Sequence, residues 1–104
     1  MPVYRLLTEV YRRYQRPIML AETSHVGSGR GAWIRKMAEQ AALASLNGVD
    51  FHGICIYPMI DRPDWEDATF WHHNGLWDVD LSEPDRYRRV LSQPYAMALR
   101  QANP

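Results

Sequence analysis

Apolar positions along the chain switch between a helical and an extended rhythm. From Tyr4 to Tyr14, the side chains of Leu6, Leu7, Val10, Tyr11 and Tyr14 recur at helical spacing, with Arg5, Glu9, Arg12 and Arg13 on the other face. Pro17 stops that helix, and Ile18-Met19-Leu20-Ala21 then reads as a strand that delivers Glu22 at its end. An apolar run this short, bounded by Pro and by turn residues, predicts a strand buried on both faces. Thr23 to Gly31 is a glycine-rich loop holding His25 and Arg30. A second helix is predicted over Ala32 to Leu46, its apolar face marked by Ile34, Met37, Ala38, Ala41 and Ala42, with Asn47-Gly48 as its stop. Phe51 to Tyr57 is a second buried strand, closed by Pro58.

Beyond Pro58 the rhythm disappears. Met59 to Asn74 forms a long loop dense in Asp, Trp and His, and long ordered loops in compact domains usually carry function. Gly75 to Asp80 alternates as a short extended piece. Ser82 is placed to N-cap a last helix, with Pro84 in its first turn and Asp85 following. That helix is predicted to reach Leu91, break at Pro94 and resume from Tyr95 to Arg100. Helix, strand, helix, strand is βαβ construction, so the fold class is α/β with two parallel strands and a right-handed crossover. Two parallel strands leave both outer edges unpaired, so residues 1–104 are expected to be a single but incomplete segment of a larger domain.

Composition narrows the function classes. Hydrophobic residues make up 46% and charged residues 23%, as in ordinary soluble proteins. Twelve basic and twelve acidic side chains cancel, so no nucleic acid and no anionic membrane surface is expected as partner. Cys55 alone allows no internal disulfide and is expected to be a buried thiol in a reducing, cytoplasmic setting, with no signal peptide ahead of it. Four Trp and six Tyr are the oddity, suited equally to cores, interfaces and sugar-binding surfaces.

Candidate chemistry gathers at the two strand ends. Glu22 sits where a parallel strand meets the carboxyl edge of its sheet, the edge at which α/β enzymes place reactive groups. It suits equally a helix cap or an ion pair with Arg. Tyr57, Asp61, Asp64 and Trp65 put two carboxylates beside aromatic faces, a combination that grips vicinal sugar hydroxyls and covers a pyranose ring. The same residues also suit an acidic surface loop with a local Asp61-Arg62-Asp64 ion-pair cluster. His72-His73 with Asp61, Asp64, Glu66 and Asp67 could supply metal ligands, but adjacent histidines rarely face one ion and no zinc spacing is present. No metal and no cofactor is expected. Gly27-Ser28-Gly29 with Arg30 is at most a weak phosphate cradle.

Taken together, these segments resemble the C-terminal part of glycoside hydrolase family 1, the β-glucosidase-like retaining glycosidases with a (β/α)₈ barrel. The family's seventh strand ends in Thr-Glu-Asn-Gly, and Ala21-Glu22-Thr23-Ser24 stands at that point here. The eighth-strand segment Trp-Ser-Leu-x-Asp-Asn-x-Glu-Trp is echoed by Tyr57 to Trp65. Arg-Phe-Gly-Leu-x-x-Val-Asp is echoed by His73 to Asp80, and the closing helix by Arg86-Tyr87, Ser92 and Tyr95.

The resemblance implies a divergent member, since Asp64 replaces a Glu, Tyr57 a Trp, and Thr23-Ser24 the usual Asn-Gly. It implies Glu22 as nucleophile, Tyr57, Asp61, Asp64 and Trp65 as sugar-binding residues, and a carbohydrate substrate. Retaining chemistry needs two carboxyl groups about 5–5.5 Å apart. The family's acid/base lies on the fourth barrel strand, outside the matched segments, and Glu66 is not assigned that role. A whole barrel takes about 250 residues. The partners implied are an N-terminal barrel portion or a second copy meeting the open strand edges. The alternative is a non-catalytic α/β module that binds a sugar or a partner chain.

Overall fold

The computed structural model describes residues 1–83 and 86–102. In chain order the elements are α1 (Val3–Tyr14), β1 (Ile18–Thr23), a 3₁₀ turn (Gly27–Gly29), α2 (Arg30–Leu46), β2 (Phe51–Ile56), β3 (Trp77–Asp80), β4 (Arg88–Leu91) and α3 (Gln93–Ala102). The architecture is mixed α/β, with a parallel sheet of β1 and β2 and an antiparallel sheet of β3 and β4.

β1 and β2 pair through Ile18 with Phe51, Leu20 with Ile54 and Thr23 with Ile56, and the register shifts twice along the way. α2 connects them. Its inner side buries Ile34, Met37, Ala41 and Ala44, small enough at the alanines for close approach. Ala42, assigned to the apolar face from its spacing, is exposed; Gln40 is buried instead, and its Oε1 accepts the Tyr4 N–H at 3.0 Å, tying α1 to α2. The core centres on Ile34, Tyr95 and Ala98, with Ile54, Ile56, Leu76 and Leu99 packed around it. α3 thus closes on the same side of the parallel sheet as α2.

The opposite side of that sheet is bare. Met19, Ala21, Glu22, His52, Cys55 and Tyr57 are all exposed, which corrects the expectation of strands buried on both faces. Cys55 is exposed rather than buried for the same reason: it projects with His52 and Tyr57 onto the uncovered face. α1 is only half covered, with Leu6, Val10 and Tyr14 forming an exposed apolar stripe one helical turn apart.

A second correction concerns the end of the chain. No helix runs to Leu91; Arg88–Leu91 is β4, paired antiparallel with β3 from Trp77–Leu91 to Asp80–Arg88. Pro84 and Asp85, part of the predicted helix start, lie outside the described residues. A non-local ladder decides the conformation of β4, reinforced by Arg88 on Asp80 at 3.1 Å and by Arg89 stacked near Trp71 and Tyr87. Pro94 does not interrupt α3; it occupies the first turn, where a missing N–H costs nothing.

The chain is extended for its length. Its radius of gyration is 16.1 Å, against about 13 Å for a compact domain of this size. Its accessible surface is 7405 Å², against about 6,000 Å² for a compact monomer of this mass. The excess is larger than the ~800 Å² that each partner contributes to a standard protein interface. Among the described residues, neither outer edge of the parallel sheet is paired. The isolated chain is therefore expected to elute from size exclusion as a concentration-dependent oligomer. A sharp monomer peak across a hundredfold dilution would show that the bare face and edges need no cover.

Candidate functional site

The parallel strands bring the two ends predicted from sequence to one place. Thr23 pairs with Ile56, and the Tyr57 N–H donates to the Thr23 carbonyl at 3.3 Å. Glu22 and Tyr57 therefore flank the last paired rung, both exposed, at the carboxyl end of the sheet. The strand end is fixed from behind, because the Trp33 indole on α2 donates to Thr23 Oγ1 at 2.7 Å. His25 packs against the same indole with ring centroids 5.4 Å apart.

The loop after β2 departs from this end and closes on itself. The Asp64 N–H donates to the Phe70 carbonyl at 2.7 Å, and Pro63 bridges to Trp71. Asp64 is partly exposed; its Oδ1 accepts from His72 Nε2 at 2.8 Å and its Oδ2 accepts the Glu66 N–H at 3.0 Å. Trp65 is 81% exposed, with the Arg62 guanidinium 4.5 Å over its ring. Arg62 thus stacks on Trp65 instead of forming the ion-pair cluster considered with Asp61 and Asp64.

Asp61 behaves differently from the other sugar-binding candidates. It is fully buried, with Oδ1 accepting the Asn74 N–H at 3.2 Å. Its own N–H donates to the Trp77 carbonyl at 2.8 Å, and Arg89 donates to its carbonyl. Its carboxylate has no exposed surface and anchors the loop through Asn74, so of the four sugar-binding candidates it is the one set behind the surface. Gly75 crosses directly over this backbone, so close that a Cβ there would meet the Asp61 N, its Cα at 2.8 Å and the Ile60 C at 2.9 Å.

Arg30 is the residue that local pattern did not single out for this role. It is buried at the start of α2, and its guanidinium donates to the Gly27 carbonyl at 2.8 Å, the Gly75 carbonyl at 2.6 Å and Asp78 Oδ2 at 2.9 Å. The guanidinium is buried and ion-paired with Asp78, which leaves the weak phosphate-cradle idea without a free cation. Ser24 Oγ donates to the Asn74 carbonyl at 3.0 Å, and the Gly27 N–H donates to the His73 carbonyl at 2.8 Å. The loops after β1 and β2 are therefore locked together. The sequence signal was available only in part: an Arg beside Gly-Ser-Gly at a helix start marks a polar junction without naming its partners.

The Glu66 N–H, and after it His72, hold the Asp64 carboxyl below its ordinary value of 3.8. A lowered folded value means the contribution to stability is present above the unfolded pKa and is lost as pH falls through the folded one. Side-chain NMR is expected to show Asp64 titrating below pH 3.8 and His72→Ala moving it upward. A midpoint at or above the ordinary value in the unmodified chain would contradict this geometry.

The chain matches no protein-family model and no curated protein. No helix among the described residues is long and apolar enough to cross a membrane.

Proposed function

We propose that this chain forms the last two βα units of a (β/α)₈-barrel retaining glycosidase of the family 1 type, with Glu22 as the nucleophile. The observation that carries the reading is an exposed carboxylate at the carboxyl end of a parallel strand, flanking Tyr57 at the end of the neighbouring strand. Three further features support it. Among the described residues, one sheet face is covered by α2 and α3 while the other is bare, as a barrel wall needs, and both outer strand edges are unpaired; an acidic, aromatic loop rises from the second strand end. Tyr57, Asp64 and Trp65 line the sugar subsite in this reading, and buried Asp61 positions them.

In the reaction, a Glu22 carboxylate oxygen bonds to the anomeric carbon as the glycosidic C–O bond breaks. The leaving oxygen takes a proton from a general acid on another part of the barrel. Water then attacks the glycosyl ester, gives up a proton to that same group and frees Glu22. Only the nucleophile and part of the subsite reside in this chain.

The test is complementation. The chain is co-expressed with the first six βα units of a family 1 β-glucosidase and assayed on an aryl β-glucoside. Turnover above that of either part alone is the expected result. Binding of glucosides without turnover would favour a non-catalytic sugar-binding module that uses the exposed Trp65 face.

A further inference from the structure

We propose that Asp61, His73 and Asp78 form a binding site for a divalent transition-metal cation, with Zn²⁺ the ion best matched to the donor set. One imidazole nitrogen and two carboxylate oxygens from these residues lie within 4.8 Å of one another. His73 Nδ1 is 2.7 Å from Asp78 Oδ1 and 4.0 Å from Asp61 Oδ2. Ligands held at the ~2.0–2.2 Å of Zn–N and Zn–O bonds stand about 3.3–3.5 Å apart in a tetrahedron. One contact has to open by several tenths of an ångström and the other close by as much. His73, with 40% of its side chain exposed, can make that adjustment and provides the way in from solvent.

Asp61 is the independent observation. Its Oδ2 is buried without a hydrogen-bond partner, and so is Oδ1 of the adjoining Asn74. Both orphaned atoms are acceptors, and a buried acceptor without a donor is what a cation satisfies. Charge points the same way. Arg30 neutralises Asp78 through Oδ2, and Arg89 reaches the Asp61 carbonyl rather than its carboxylate. Among the described residues, His73 at 4.0 Å is the one basic side chain within ion-pair distance of the Asp61 carboxylate, and the Asp78 carboxylate also lies within 4.8 Å of it.

The second layer is already in place. Arg30 holds the far oxygen of Asp78, and the Asn74 N–H holds the other oxygen of Asp61. Three protein ligands leave a fourth position for water, the usual arrangement of a non-structural zinc site. Binding requires His73 Nδ1 to present its lone pair, so any proton there is released to buffer. Asp78 Oδ1 also accepts the Val79 N–H at 2.7 Å, so Asp61 supplies the unpartnered oxygen; the neighbouring His72–Asp64 pair has a single carboxylate and no buried acceptor without a donor.

The experiment is isothermal titration of ZnCl₂ into the full chain in two buffers of different ionisation enthalpy. One Zn²⁺ is expected to bind at micromolar concentration. Asp61→Asn and His73→Asn should each weaken binding by more than the ~10–100-fold that loss of an outer partner costs. His72→Ala should change it by less than about twofold, because the His72 imidazole is turned to Asp64 and is not a ligand of this site. If Asp61→Asn fails to fold, His73→Asn decides, because His73 has φ 54° and Asn tolerates that conformation. The site is overturned by any of three results: no binding to the unmodified chain, binding that survives His73→Asn, or binding lost with His72→Ala. The readout is metal affinity, so it stands or falls separately from glycosidase activity.

Discussion

Glu22→Gly in the complemented barrel lowers kcat by at least ~10³-fold, the scale of losing a covalent nucleophile, and added azide or formate restores turnover. The reasoning starts at the strand. Glu22 is the penultimate residue of β1, exposed, and held at a defined height because Thr23 beside it is pinned by the Trp33 indole and by the Tyr57 N–H. Truncation to Gly leaves a small space at the anomeric carbon and no attacking oxygen. A small anion enters that space and attacks from the face the carboxylate would have used. The azide product then has inverted configuration, since only one displacement occurs. Asp64→Asn, by contrast, should act mainly on KM, because in this reading it removes a subsite contact. Kinetics of both variants on one aryl glucoside separate the roles; a Glu22→Gly protein with undiminished kcat would remove Glu22 from the chemistry.

Gly75→Ala is the second large effect, and it is one of stability. The added methyl would sit 2.8 Å from the Asp61 Cα and 2.9 Å from the Ile60 C, both backbone atoms that cannot swing aside. Relief requires the two segments to part, which breaks the Asp61–Trp77 and Trp77–Met59 hydrogen bonds that start β3 and loosens the Arg30 bond to the Gly75 carbonyl. Overpacking of this kind costs about 3 kcal/mol or more, a large share of the 5–15 kcal/mol typical of a domain. Urea unfolding followed by Trp fluorescence is the check. A loss under about 1 kcal/mol, the level of an ordinary substitution, would mean the crossing is looser than described.

Local signals in the sequence located most of the elements, and the long-range ones escaped it. Pro17 before an apolar run and Asn47-Gly48 after a helix are punctuation that acts within a few residues, and β1, α2 and β2 lie where those signals place them. β4 is not legible locally because Arg88-Arg89-Val90-Leu91 has no strong preference of its own; pairing with β3, from Asp80 back to Trp77, makes it a strand. The exposure of Cys55 is not legible because an apolar run predicts burial without saying whether anything covers the second face. The exposed ends Glu22 and Tyr57 follow from strand direction and could be read early. The burial of Asp61 and Arg30 could not, because a charged residue goes inside only where distant partners meet it. For Asp61 those partners are Asn74, Trp77 and Arg89; for Arg30 they are Gly75 and Asp78, added to the local Gly27 carbonyl. His73 and Asp78 reach Asp61 only because the chain folds back across it at Gly75, a juxtaposition no linear spacing encodes.

The central claim is that Glu22 forms a covalent bond to a sugar, and covalent trapping tests it most directly. The complemented barrel is incubated with a 2,4-dinitrophenyl 2-deoxy-2-fluoro-β-glucoside, whose leaving group departs without an acid and whose fluorine slows release of the ester. Peptide mass mapping is predicted to place one fluoroglucosyl group on Glu22 and none on a Glu22→Gln chain. An active, inactivated barrel whose label lies on any other residue would contradict the account.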